Sequence, residues 1–236
     1  MRTFDDRLAE LDGGRVLDVG TGQGDFARSL AEGLRSYTEI IGIDFSESRI
    51  DEARHKVVLD RVRFELMDAT CVQFAGESFD TVAISDTMHH LPDPRPILTE
   101  MKRVLKPGGL FCLVEAYRDG QDEAQMSHVL IHHWWAAIDT LVGVCHRESY
   151  LRAEVIGLVD QLGFARREVY DHREPDDDPH DADRIAMIDG LITRYVARIP
   201  DCPEKDELHR QGEIFRERLF TVGFSWAVHA CVLAWK

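Results

Sequence analysis

Residues 15–26 read RVLDVGTGQGDF: an apolar run that stops at three glycines, Gly20, Gly22 and Gly24, with a carboxylate, Asp18, in its middle. A run of this kind is a strand that gives way to a tight turn and then a helix. Glycine reaches positive φ freely and has no side chain, so the turn brings bare backbone close to whatever lies beyond it. The first turn of the next helix adds N–H groups that lack intrahelical partners. The N-terminal half repeats this rhythm. Strands are predicted over residues 15–20, 39–44, 62–69, 79–85 and 109–117, with helices over 24–32, 47–59 and 96–105. Such alternation predicts an α/β fold with a doubly wound, mostly parallel sheet. The first, fourth and fifth strands are almost continuously apolar, as strands covered on both faces are.

Beyond Tyr117 the pattern changes. Residues 119–147 read as helical and are rich in His and Trp, and residues 148–162 read as another helix with Gly163 as its stop. A strand is predicted over 164–172, an acidic loop over 173–183, mostly helical chain over 182–219 and a last strand over 224–236, which makes seven strands. The chain is read as a single domain over 1–236: a ligand-binding core over 14–117, a helical lid over 118–147 and a helical insertion over 175–220.

Composition narrows the function classes. The chain has 236 residues, 43 acidic against 28 basic, and a formal charge of −15. That charge repels phosphate backbones, and no dense Lys/Arg run offsets it, so a nucleic-acid partner is not expected. The five cysteines are dispersed without a C-x-x-C pair, and the N-terminus is charged, which reads as reduced thiols in a cytoplasmic protein. No apolar run reaches membrane-spanning length.

The glycine turn itself discriminates between ligands. Its spacing is Gly20-x-Gly22-x-Gly24, not the G-x-G-x-x-G that seats a dinucleotide pyrophosphate on a helix N-terminus. Asp18 places negative charge before the turn, which would repel a pyrophosphate and hold a cation. A nucleoside that carries a sulfonium and an ammonium fits, namely S-adenosylmethionine. At this point VLDVGTGQG resembles the first motif of class I S-adenosylmethionine-dependent methyltransferases. IIGIDFS, FELMDAT, FDTVAISDTMHHLPDP and EMKRVLKPGGLFCLVE follow in the family's order. They are similar to the small-molecule branch that includes the ubiquinone and menaquinone biosynthesis enzymes. The resemblance covers residues 14–117, about half the chain.

The resemblance implies a Rossmann-like methyltransferase fold with S-adenosylmethionine as cofactor. The cofactor would be held by Asp18, Gly20, Thr21, Gly22, Gly24, Asp44, Phe45, Asp68, Ala69, Ser85 and Asp86. In that reading Asp44 accepts from both ribose hydroxyls and Phe45 lies along the adenine. Asp68 takes the exocyclic amine, and the Ala69 N–H meets a ring nitrogen. The plainer readings are that Asp18 also braces the turn, that Phe45 fills core and that Asp68 only begins a turn. Helix N-capping suits Ser46 better than Asp44.

The acceptor is read as a small molecule at the carboxyl ends of the fourth and fifth strands, in a monomer or homodimer. His89 and His90 are candidate general bases, or they shape the pocket. His128 and His132 share a helix face, and His133, Trp134 and Trp135 follow, which suggests a substrate lid with an apolar wall. A metal is not expected, since the two helical histidines lack an evident third and fourth partner. The alternatives are a non-catalytic S-adenosylmethionine-binding protein and a methyltransferase acting on a macromolecule.

Overall fold

The computed structural model describes residues 3–174 and 177–236. Seven strands form one sheet: β1 (Arg15–Val19), β2 (Glu39–Asp44), β3 (Val62–Leu66), β4 (Phe79–Ser85), β5 (Leu105–Ala116), β6 (Arg166–His172) and β7 (His229–Trp235). Their order is β3-β2-β1-β4-β5-β7-β6, and only β7 runs antiparallel to its neighbours. The doubly wound, mostly parallel, seven-stranded arrangement expected from the sequence is therefore present.

Strand periodicity sends alternate side chains to opposite faces. Leu17, Ile41, Ile84 and Phe111 pack on one face with Leu98 and Met101 of α4 (Arg95–Val104) and Val155 of α6 (Arg152–Asp160). Val16, Ile40, Ala83 and Cys112 pack on the other. There they meet Phe4 of α1 (Phe4–Leu8), Leu30 of α2 (Asp25–Gly33) and Ile50 of α3 (Glu47–Lys56). Because five strands end in the same direction, the turns after β1, β2, β3, β4 and β5 gather along one edge. The start of antiparallel β7 joins them, with His229 opposite Ala116.

A third apolar cluster lies outside the two sheet faces. It joins α5 (Glu123–Leu141), α7 (Ala182–Arg198) and α8 (Lys205–Thr221) through Ile131, Trp134, Ile138, Ile188, Ile192 and Leu219. The start of α5 is fixed by Asp122, whose carboxylate accepts from Gln125 N while the Gln125 side chain accepts from Asp122 N. Helix α5 stops at Leu141, and Gly143 beyond it adopts φ +84°. The helix expected from residue 148 begins only at Arg152, because the residues before it pair elsewhere: Ser149 N donates to His133 Nε2 at 3.2 Å, and Tyr150 O accepts from Arg118 N at 2.9 Å. In the acidic loop, Pro175 and Asp176 lie outside the described residues. Its Asp177 is engaged by Arg184 of α7. Among the described residues no helix is long and apolar enough to cross a membrane.

Candidate active site at the carboxyl edge of the sheet

The turn after β1 needs its glycines for different reasons. Gly20, Gly22 and Gly24 have φ of +68°, +52° and +84°. A Cβ on Gly20 would lie 2.4 Å from Thr87, and one on Gly24 would lie 2.8 Å from Phe64, so these two let the turns and strands close up. A Cβ on Gly22 would meet nothing within 4 Å. Gly22 is therefore the place where bare backbone faces open space. Gly22→Ala is expected to cost about 1–2 kcal/mol through its left-handed conformation without any clash. Thermal melts should show that modest loss.

Asp18 sits beneath the turn, 1% exposed. Its Oδ2 accepts from the Thr21 hydroxyl at 2.6 Å, while its Oδ1 is buried without a hydrogen-bond partner. Burial pushes this carboxyl up to about 7. The Thr21 hydroxyl and the Ala27 N–H pull the other way, and the charge of Asp44 adds to the rise. Asp18 thus braces the turn. Thr21 N also donates to Ile43 O at 2.9 Å, which ties the turn to β2.

Asp44, at the end of β2, uses both oxygens to fix its neighbours. Oδ2 accepts from Gly22 N at 3.0 Å and Oδ1 from Ser46 N at 2.9 Å. Ser46 occupies the cap position of α3, but its hydroxyl makes no capping bond. Phe45 follows, 82% exposed and outside the core. Asp68 begins a turn, as the plainer reading had it. Its Oδ1 accepts from the N–H and hydroxyl of Thr70, which hold the carboxyl below the usual range. Ala69 is half-buried against the sheet core.

After β4, Ser85 and Asp86 line a cavity of about 380 Å³ together with Phe4, Leu8, Trp226 and His229. Asp86 has φ +42°. Its Oδ1 accepts from Ala116 N at 3.2 Å, and its Oδ2 is 3.2 Å from His229 Nε2. The neighbouring His229, helped by His89 and the Ala116 N–H, holds the Asp86 carboxyl below the usual range. His229 is raised despite its own burial, by the charge of Asp86. The cavity at the ends of β4 and β5 is thus walled by α1 and by residues near β7.

The histidines form a separate cluster behind the β4 turn. His89, 8% exposed, is hydrogen-bonded through Nδ1 to Glu115 Oε1, and Glu115 Oε2 accepts from Met88 N at 3.2 Å. His132 and His146 meet Nε2 to Nε2 at 3.0 Å. His90 lies at the rim, its ring 4.2 Å from that of His89. The imidazoles packed against His90 at the rim desolvate it and, with the charges of His89 and His146, bring it down to about 4. Burial drives His132 to about 2, whereas Glu115 and Asp86 lift His89 above its ordinary value against its burial.

The expected lid residues divide between two roles. His128 accepts from Ala227 N at 2.9 Å, and His133 Nε2 accepts from Ser149 N at 3.2 Å. Trp134 donates to Leu208 O at 3.0 Å and Trp135 stacks on Tyr195, so this pair builds the α5–α7–α8 core and does not wall the cavity. The sequence reading missed Glu115, Asp139 and His229. A carboxylate within the apolar run FCLVEA was a usable signal for Glu115, of the same kind as Asp18 in RVLDVG.

A family model described as a methyltransferase domain matches residues 10–151. The ubiquinone/menaquinone biosynthesis C-methyltransferase UbiE of Geobacter sulfurreducens is 38% identical over 108 residues, which is 44% of this chain and 42% of that protein. The chain therefore spans less than half the length of that curated relative. Among solved structures, a SAM-dependent methyltransferase from Methanosarcina mazei has a TM-score of 0.56 at 18% identity, covering 98% of this chain and 95% of its own. Phosphoethanolamine N-methyltransferase 2 of Haemonchus contortus, solved with S-adenosyl-L-methionine, has a TM-score of 0.57 at 20% identity, covering 98% and 50%. At these identities the structural likeness speaks for the fold.

Proposed function

Since this chain belongs to the methyltransferase-domain family, whose model it matches over more than half its length, we propose that it is an S-adenosylmethionine-dependent methyltransferase acting on a small, partly apolar acceptor. One observation carries the reading. The turn after β1 presents Gly22 to open space, while the Gly22 N–H is tied to the carboxylate of Asp44, and the exposed Phe45 follows Asp44 in the chain. These residues fit the cofactor. Asp44 offers a carboxylate for ribose hydroxyls, and Phe45 offers a stacking face for a base. The orphaned, buried oxygen of Asp18 favours a cation nearby.

When bound, S-adenosylmethionine supplies a methyl group on a sulfonium leaving group. The chain's share of the work is then alignment and exclusion of water. The cavity beside Ser85 and Asp86 suits the acceptor. It lies at the carboxyl edge of the sheet, where α/β folds place their ligands. His89 is not a free base in this arrangement, because Glu115 occupies its Nδ1 and supports its protonated form. His90, neutral near pH 7 and exposed at the rim, is open to a proton but weakly basic. The acidic charge of the chain speaks against a nucleic-acid acceptor.

Calorimetry with S-adenosylmethionine, NAD and NADP separates the ligand classes, and methyl transfer from labelled cofactor to a fractionated small-metabolite pool tests the activity. Binding of the nicotinamide cofactors alone would overturn the reading. Cofactor binding with no labelled product in any pool would reduce the protein to a binding module.

A further inference from the structure

We propose that His89, His132 and His146 form a binding site for a divalent first-row transition-metal cation such as Zn²⁺. One ring nitrogen from each of these buried side chains lies within 4.8 Å of those of the other two. They come from three separate parts of the chain: the turn after β4, the middle of α5 and the segment between α5 and α6.

The outer partners determine which nitrogens face inward. His89 Nδ1 is held by Glu115, His146 Nδ1 is 2.8 Å from Asp139 Oδ2, and His132 Nδ1 is 3.2 Å from the Ser149 hydroxyl. Each outer nitrogen therefore has an oxygen partner, which leaves the three Nε2 atoms for a common ligand. Metal-binding imidazoles have this signature, with the second ring N–H given to a carboxylate or other oxygen. The supports are themselves fixed. Glu115 accepts from Met88 N, and Asp139 Oδ2 accepts from the Tyr195 hydroxyl at 2.9 Å. Arg198 Nη2 sits 2.8 Å from the other Asp139 oxygen as an ion pair that is not aligned as a hydrogen bond.

Two ligand nitrogens on one metal, at bond lengths of about 2.0–2.1 Å, lie about 2.9 Å apart at a right angle and about 3.3 Å apart at the tetrahedral angle. The His132–His146 separation of 3.0 Å falls within that range. Without a metal, this contact takes one shared Nε2 proton. Metal binding requires that proton, and any on His89 Nε2, to leave for solvent, so uptake releases protons. Neighbouring imidazoles are set apart by their bonds. His128 Nδ1 and His133 Nε2 each accept a backbone N–H, as structural histidines do. Three imidazoles without a carboxylate ligand suit zinc, cobalt, nickel or iron better than magnesium or calcium, and they leave a coordination position open.

Metal binding is read without cofactor or acceptor, so this inference and the methyltransferase reading fail independently. The untagged full chain is stripped with EDTA, freed of chelator and titrated with Zn²⁺ against a chromophoric indicator, then separately with Co²⁺. One equivalent per chain and visible cobalt absorption are expected. His132→Gln should weaken Zn²⁺ binding by at least about 100-fold, and Asp139→Asn, which keeps all three imidazoles, by about 10–100-fold. Should His132→Gln lose its native circular dichroism, Asp139→Asn decides alone. The site is overturned if the wild-type chain binds neither metal, or if the variant that decides binds Zn²⁺ as the wild type does.

Discussion

Asp44→Ala is expected to lower affinity for S-adenosylmethionine by about 100- to 1,000-fold while the chain stays folded. The carboxylate has two oxygens, each already fixed by one backbone N–H, from Gly22 and Ser46. Each oxygen keeps a lone pair, which lets the group accept from two neighbouring hydroxyls. Hydrogen bonds to a charged acceptor are worth about 1.5–3 kcal/mol each, and tenfold in affinity is about 1.4 kcal/mol. The loss of two such bonds, partly offset by the contacts that remain, gives the range stated. The backbone bonds to Gly22 and Ser46 are lost as well, so melting should fall by an amount that corresponds to about 3 kcal/mol, the lower end for two such bonds. Calorimetry on the folded variant separates the two effects. Affinity within threefold of wild type would remove Asp44 from the ribose and take the placement of the cofactor with it.

The strands were legible because burial writes itself locally. Glu39–Asp44 and Phe79–Ser85 match the predicted spans residue for residue, since both are apolar runs bounded by turn residues. The glycine turn was legible for the same reason: backbone conformation there depends on three nearby residues. What the sequence hid was assembled at a distance. His89 and His132 are 43 positions apart, and no periodicity joins a turn after one strand to the face of a later helix. The Trp134–Trp135 pair misled because an aromatic pair on a helix fits a pocket wall or a helix–helix core equally well. Only the arrival of Leu208, Phe215 and Tyr195 from α7 and α8 decides between them. Asp18 and Glu115 share a lesson from the opposite side. An acid inside a buried strand is costly unless something uses it, and here one braces a turn while the other orients an imidazole.

The cost of that acid makes the apo chain's stability depend on pH in a set direction. Asp18 has its folded-state pKa raised from 3.8 to about 7 by burial. Between these values the native state holds a proton that the unfolded chain has released, so stability falls as pH rises through this window and the full penalty is present above about 7. At roughly 1.4 kcal/mol per pKa unit, the penalty is about 4 kcal/mol at its upper limit. Asp18→Asn keeps an acceptor for the Thr21 hydroxyl and cannot ionise. The variant's stability relative to wild type should therefore rise from pH 5 to pH 8, whatever the histidines contribute to both chains alike. Denaturant melts at a series of pH values measure this difference. Cofactor binding should run the other way. A cationic ligand favours the ionised acid, so binding to the wild-type chain releases a proton below pH 7, and affinity at pH 6 is about tenfold below that at pH 8. In Asp18→Asn that proton release is absent. Equal affinity of the wild-type chain at pH 6 and pH 8, with no proton released in buffers of different ionisation enthalpy, would show that the charge of Asp18 is not felt by the ligand. Its role would then end with the turn it braces.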